Sequence, residues 1–138
     1  MSKYKHEVSD MVLLNELQQE IDEIFDLISD NFNLSKEEYI VMVALWEKGP
    51  MTMKALDEYL NIKPYKRTRF YNTLVENGWI KKVRPADDER TVMIYYNEEK
   101  LPIKEEIVNC ACESLKGKKE QMKAHFDAIM EICAIEKR

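Results

Sequence analysis

The stretch Lys63–Ile80 reads KPYKRTRFYNTLVENGWI, a run with both ends of a helix marked in it. Pro64 stands at a favoured first helical position, where its missing N–H costs nothing. Gly78 suits the position just past a helix, which favours a left-handed backbone. A helix over Pro64–Asn77 is therefore predicted. At 100° per residue, Phe70, Tyr71 and Leu74 share one side, which should face the core. Tyr65, Arg69, Asn72 and Glu76 take the opposite side, with Lys66 and Thr73 on one edge and Thr68 on the other. Arg67 falls near the core side, but at the helix start, where a long side chain still reaches water.

Working outward, Asn61-Ile62-Lys63 reads as a three-residue turn, and Lys54–Leu60 as a short helix capped by Thr52, with Ala55, Leu56 and Leu60 inward. Two helices joined by so short a turn form a helix-turn-helix. Before them, Ser35 and Glu38 make an S-x-x-E capping box. The helix they open runs through Ile40, Val43, Ala44 and Trp46 and stops at Gly49-Pro50, and Met51–Met53 is a short extended link. After them, 79–84 (WIKKVR) and 91–96 (TVMIYY) are rich in strand formers, and Val92, Ile94 and Tyr96 alternate with Thr91, Met93 and Tyr95. A two-stranded hairpin is marginal alone and must pack on the preceding helices. The expected fold is mainly α with a small β-hairpin, a winged helix-turn-helix over 33–97.

Long helices flank that core, at 1–32 and 98–138, within a single domain. Residues 9–31 repeat Leu14, Leu17, Ile21, Ile24 and Ile28 at alternating spacings of three and four, a narrow stripe suited to another helix. Toward the C-terminus, Ile103, Ile107, Val108, Ala111 and Leu115 form one stripe. Met122, Phe126, Ile129, Met130 and Cys133 form a second, and Gly117 marks a break or kink between them. Helices this long exceed what one winged helix can bury, so Leu14, Leu17, Ile21, Ile24, Ile28, Ile107, Phe126 and Ile129 are expected at a homodimer surface.

The net charge of −5 over 138 residues argues at first against nucleic acid. The charge is uneven, however. Residues 1–62 hold 5 basic and 13 acidic side chains, whereas 63–94 hold 8 basic and 4 acidic. Screening acts over roughly 8 Å at physiological salt, so a local basic strip counts more than the mean. Arginine pairs bidentately with guanine and asparagine with adenine in the major groove. Tyr65, Lys66, Arg67, Thr68, Arg69 and Asn72 are therefore the expected DNA-binding residues of the helix. Lys82, Arg84 and Arg90 are their counterparts in the wing, where an arginine arm can enter the minor groove. Asp88 and Glu89 would support the wing by orienting an arginine fork.

Three segments carry a family resemblance: Lys63–Ile80, the wing stretch Val83–Glu99 (VRPADDERTVMIYYNEE) with its DER run at 88–90, and Asn33–Thr52 (NLSKEEYIVMVALWEKGPMT). They resemble the Sar/MarR family of winged-helix regulators, in its staphylococcal accessory regulator branch. The resemblance implies a homodimeric transcription regulator of virulence or toxin genes, bound to A·T-rich double-stranded promoter DNA with no required cofactor. It points to Tyr65 in the recognition helix and Arg90 in the wing, with Lys66, Arg69 and Arg84 on other basic positions of the DNA face. Some relatives sense oxidants through a first-helix cysteine, which has no counterpart here. Others bind phenolic ligands, for which no residue set is recognisable.

Rival classes have weaker support. The acidic first helix suits a protein-interaction module. Cys110, Cys112 and Cys133 admit a thiol redox switch, although they lie on or beside apolar stripes, as buried structural thiols do. No glycine-rich loop, paired-histidine metal spacing or nucleophile elbow is present, so no catalytic or metal residues are assigned. The absence of a leader pattern, of a long apolar run and of paired cysteines fits a reduced cytoplasmic protein away from membranes.

Overall fold

The computed structural model describes residues 7–84 and 91–135, with side chains over 11–84 and 91–131. They fall into two compact units, one of residues up to Leu27 with those from Val108 onward, the other Ile28–Ile107.

The second unit is the winged helix. Helix α1 (Glu7–Phe32) enters it, and α2 (Lys36–Lys48), β1 (Met51–Thr52), α3 (Met53–Asp57) and α4 (Arg67–Glu76) follow. Strands β2 (Ile80–Val83) and β3 (Met93–Tyr96) form the wing, and α5 (Leu101–Ile135) leaves it. Ser35 opens α2 with a complete capping box. Its hydroxyl accepts from Glu38 N at 3.2 Å, and its own N–H donates to Glu38 Oε1 at 2.8 Å. Helix α4 ends in a Schellman motif, with Trp79 N–H bonded to Leu74 O and Gly78 N–H to Val75 O, each at 3.0 Å. The φ of +81° at Gly78 explains the glycine. Asn97 then ties the hairpin to this corner, its Nδ2 donating to Gly78 O at 2.7 Å. Val41, Met42, Leu45, Leu56, Tyr71, Leu74 and Ile94 are fully buried and form the core.

Several expectations are corrected. The sheet has three antiparallel strands in the order β1–β3–β2, not two. Met51 pairs with Ile94 and Thr52 with Met93, so the short extended link is an edge strand. Thr52 also caps α3, accepting from Ala55 N at 3.1 Å. That helix is shorter than Lys54–Leu60 because its bonding tightens. Tyr59 N–H reaches Leu56 O at 3.0 Å and Leu60 N–H reaches Asp57 O at 3.1 Å, both three residues back. Residues 64–66 likewise form a 3₁₀ turn, and the α-helical part of the recognition segment starts at Arg67. In α2 the buried set is Val41, Met42, Ala44 and Leu45, while Val43 is exposed. The run Tyr39–Trp46 is apolar nearly all round, so its periodicity does not select a face and tertiary packing does. Helix α5 continues unbroken through Gly117. A glycine there costs about 1 kcal/mol against alanine but keeps its N–H in the ladder. A Cβ at that position would meet no atom within 4 Å.

In the other unit, α1 and α5 are joined by charged side chains. His125 lies between two carboxylates one turn apart, with Nε2 2.9 Å from Glu16 and Nδ1 3.1 Å from Glu20. Lys118 pairs with Glu23. Among the described residues no helix is long and apolar enough to cross a membrane.

Candidate nucleic-acid interface

The start of the recognition segment is open. Lys63 has the extended backbone of a helix cap, yet no side chain caps the turn at Pro64 or the helix at Arg67. Lys66 N–H and Arg67 N–H are taken by Lys63 O and Pro64 O, which leaves the Tyr65 N–H at the positive end of the segment as a donor for phosphate. Tyr65 is 75% exposed here, and the Lys66 ammonium sits 5.8 Å from the centre of its ring. Thr68, Arg69 and Asn72 are also exposed, with Arg69 and Asn72 about one turn apart on the same side. Lys63, Lys66 and Arg69 line a cleft of about 550 Å3 together with Ser35, Glu37 and Phe70. Phe70, expected in the core, is half-buried in the lining of this cleft.

The wing is coupled to the helix. Lys82 Nζ donates to Asn72 Oδ1 at 2.7 Å. A lysine ammonium has only donors, so the Asn72 carbonyl must face it and the Asn72 NH2 group turns away. Partial burial pushes the Lys82 pKa below the usual lysine value, and the neighbouring Arg84 adds to that shift. Lys82 and Arg84 thus bring their charge to the flank of the face formed by Tyr65, Lys66, Arg69 and Asn72. Asp88, Glu89 and Arg90 lie outside the described residues.

Arg67 is placed differently from its neighbours. Its Nε is 2.9 Å from Asp57 Oδ2, and the Tyr71 hydroxyl donates to Asp57 Oδ1 at 2.7 Å. Burial, then the bond to Asp57, raises the Tyr71 pKa far above its ordinary value, so the hydroxyl stays protonated. Sequence reasoning gave Asp57 no role. The available signal was the i, i+4 spacing of Arg67 and Tyr71, which puts a cation and a hydroxyl on one edge of α4 toward α3.

The residues expected at a dimer surface divide. Leu14 and Phe126 are exposed, at 42% and 53%. Leu17, Ile21, Ile24 and Ile129 are half-buried. Ile28 and Ile107 are core residues within the single chain. They belong to the winged-helix unit and are fully buried there. Among the described residues no cluster of His, Cys, Asp and Glu is arranged to hold a metal ion.

Known proteins resemble this chain along most of its length. Residues 23–107 match the family model described as transcriptional regulator SarA/Rot. The HTH-type transcriptional regulator rot of Staphylococcus aureus is 41% identical over 119 residues, which span 86% of this chain and 72% of that protein. Two solved structures share the fold at low identity. Reduced AbfR bound to DNA matches with a TM-score of 0.62 at 20% identity, over 89% of this chain and 98% of that one. The transcriptional regulator PA4135 matches with a TM-score of 0.71 at 16% identity, over 92% and 93%. A winged-helix core, a family model spanning most of it and a relative of this identity converge: the chain belongs to the SarA/Rot family of DNA-binding transcriptional regulators and is not an enzyme.

Proposed function

We propose that the protein acts as a homodimer in the cytoplasm on A·T-rich double-stranded promoter DNA, controlling virulence or toxin genes. The 3₁₀ turn and α4 enter the major groove, and the β2–β3 wing lies on the flanking minor groove. One observation carries this reading. Tyr65, Lys66, Arg69 and Asn72 share an exposed face at an uncapped helix start, and Lys82 and Arg84 extend it. Apolar side chains left open on the terminal helices support the dimer, among them Met11 at 62%, Leu115 at 50%, Phe126 at 53% and Met130 at 49% exposed. Exposed apolar surface of this kind marks an interaction site. Two heads on a two-fold axis would read half-sites one turn apart, about 34 Å. The target genes and the A·T preference rest on the family resemblance.

Titration of a promoter fragment against salt tests the reading. With about 6–10 phosphates neutralised, the slope of log affinity on log salt is expected at about −5 to −9. A slope near zero overturns it. Sedimentation at micromolar concentration should give the mass of two chains, and the mass of one chain overturns the dimer.

A thiol switch is the second reading. Cys112 is exposed beside an apolar cleft of about 450 Å3 that includes Leu115 and Met122. Cys110 and Cys112 are two apart on one helix and so point to different sides, which prevents a bond between them. Peroxide should alter promoter affinity under this reading, and unaltered affinity dismisses it.

A further inference from the structure

We propose that Asp57 is a positioning residue for DNA recognition, setting the direction in which Arg67 presents its guanidinium to the nucleic acid. The inference rests on the reading of α4 as the DNA-facing helix. Both carboxylate oxygens of Asp57 are engaged, Oδ2 with Arg67 Nε at 2.9 Å and Oδ1 with the Tyr71 hydroxyl at 2.7 Å. Tyr71 is fully buried, so it anchors the carboxylate to the core. The Asp57 side chain is 18% exposed and that of Arg67 is 41% exposed, which puts the acid inside and the base at the rim. A guanidinium is planar, so fixing Nε fixes the plane in which the two terminal nitrogens lie. Those nitrogens are the ones that grip a phosphate in fork geometry. Arg67 and Asp57 line a cleft of about 550 Å3 together with Thr52 and Lys54. A second cation and a hydroxyl in the same cleft suit one phosphate of the DNA backbone.

The position of the acid makes the idea testable by sign. If only charge mattered, removing a carboxylate from a DNA-facing head would raise affinity, since phosphate repulsion would fall. A positioning carboxylate has the opposite effect. Asp57→Asn keeps the shape and an acceptor oxygen but loses the charge that holds the guanidinium. It is expected to weaken binding to a promoter fragment roughly tenfold and to reduce the magnitude of the salt slope by about one, as the loss of one phosphate contact does. Arg67→Gln should do the same, and adding Asp57→Asn to it should change little further. All binding is measured well below the thermal midpoint, with the folded fraction checked by circular dichroism.

Affinity equal to or above the parent's in Asp57→Asn, while Arg69→Ala weakens binding, overturns the role of Asp57 and leaves the DNA-facing helix intact. Indifference of affinity to Arg69→Ala as well, with a salt slope near zero, overturns the underlying reading of α4. If Asp57→Asn does not fold, Arg67→Lys carries the test. It keeps the cation but loses the fork, and parental affinity in that variant overturns the proposal.

Discussion

Helices α2 and α4 belong to the same unit and each buries one face, yet they begin in opposite ways. Helix α2 closes its own N-terminus with the Ser35–Glu38 box, and Glu37 and Glu38 place negative charge at the positive end of the helix dipole. Helix α4 has no side-chain cap and no acid in its first turn, and Lys66, Arg67 and Arg69 crowd that end instead. A cation near a helix N-terminus is unfavourable by about 0.3–1 kcal/mol. One helix start is thus closed by its own side chains, whereas at the other Lys66 N–H and Arg67 N–H are held by the backbone of the preceding 3₁₀ turn and no side chain caps it. The difference supports the proposed recognition role of α4 without reference to any relative.

The largest test of this contrast is Arg69→Ala. Arg69 is exposed and makes no ion pair among the described residues, so its loss should leave the thermal midpoint unchanged. It should cost about 1–3 kcal/mol of DNA-binding free energy and relax base preference. Fluorescence anisotropy on a promoter fragment, beside scanning calorimetry, reads both effects. A lowered midpoint with unaltered affinity would make α4 as structural as α2. Ser35→Ala is the converse test. It removes the cap on Glu38 N–H and should lower unfolding free energy by about 1 kcal/mol in urea. Promoter affinity at a temperature where the variant is folded should stay within about twofold.

What was legible in the sequence follows the range of the interactions involved. The α2 start and the α4 end are set by residues within five positions of one another, Ser35 with Glu38 and Leu74 with Trp79, and both are readable from spacing. Strand β1 was not readable. Its two residues hold their place only by pairing with Ile94 and Met93, some forty positions on. The same reason hides Asp57, whose partners stand 10 and 14 positions away on another helix. The exposed basic face at Tyr65, Lys66, Arg69 and Asn72 was legible because one continuous stretch of eight residues carries it. The link from Asn72 to Lys82 was not, since it crosses from helix to wing.

The smallest expected effect sharpens the contrast most, because its two parts have opposite signs. Lys63 already has the extended backbone of a cap, with φ −65° and ψ 141°. Pro64 has no N–H, and Lys66 N–H is already bonded to Lys63 O at 2.9 Å. The Tyr65 N–H is therefore the donor a new side chain would meet. Lys63→Ser supplies that acceptor and withdraws a cation from the positive end of the segment. Stability should rise by about 0.5 kcal/mol, at the low end for a cap. Binding should weaken, and the salt slope should lose about one unit of magnitude, because a phosphate partner has been removed. On the proposed reading, a start left open gains stability and loses binding when it is closed. Should Lys63→Ser stabilise the protein while promoter affinity holds, the open start of the 3₁₀ turn before α4 serves no phosphate. The basic face would then bind through its side chains alone.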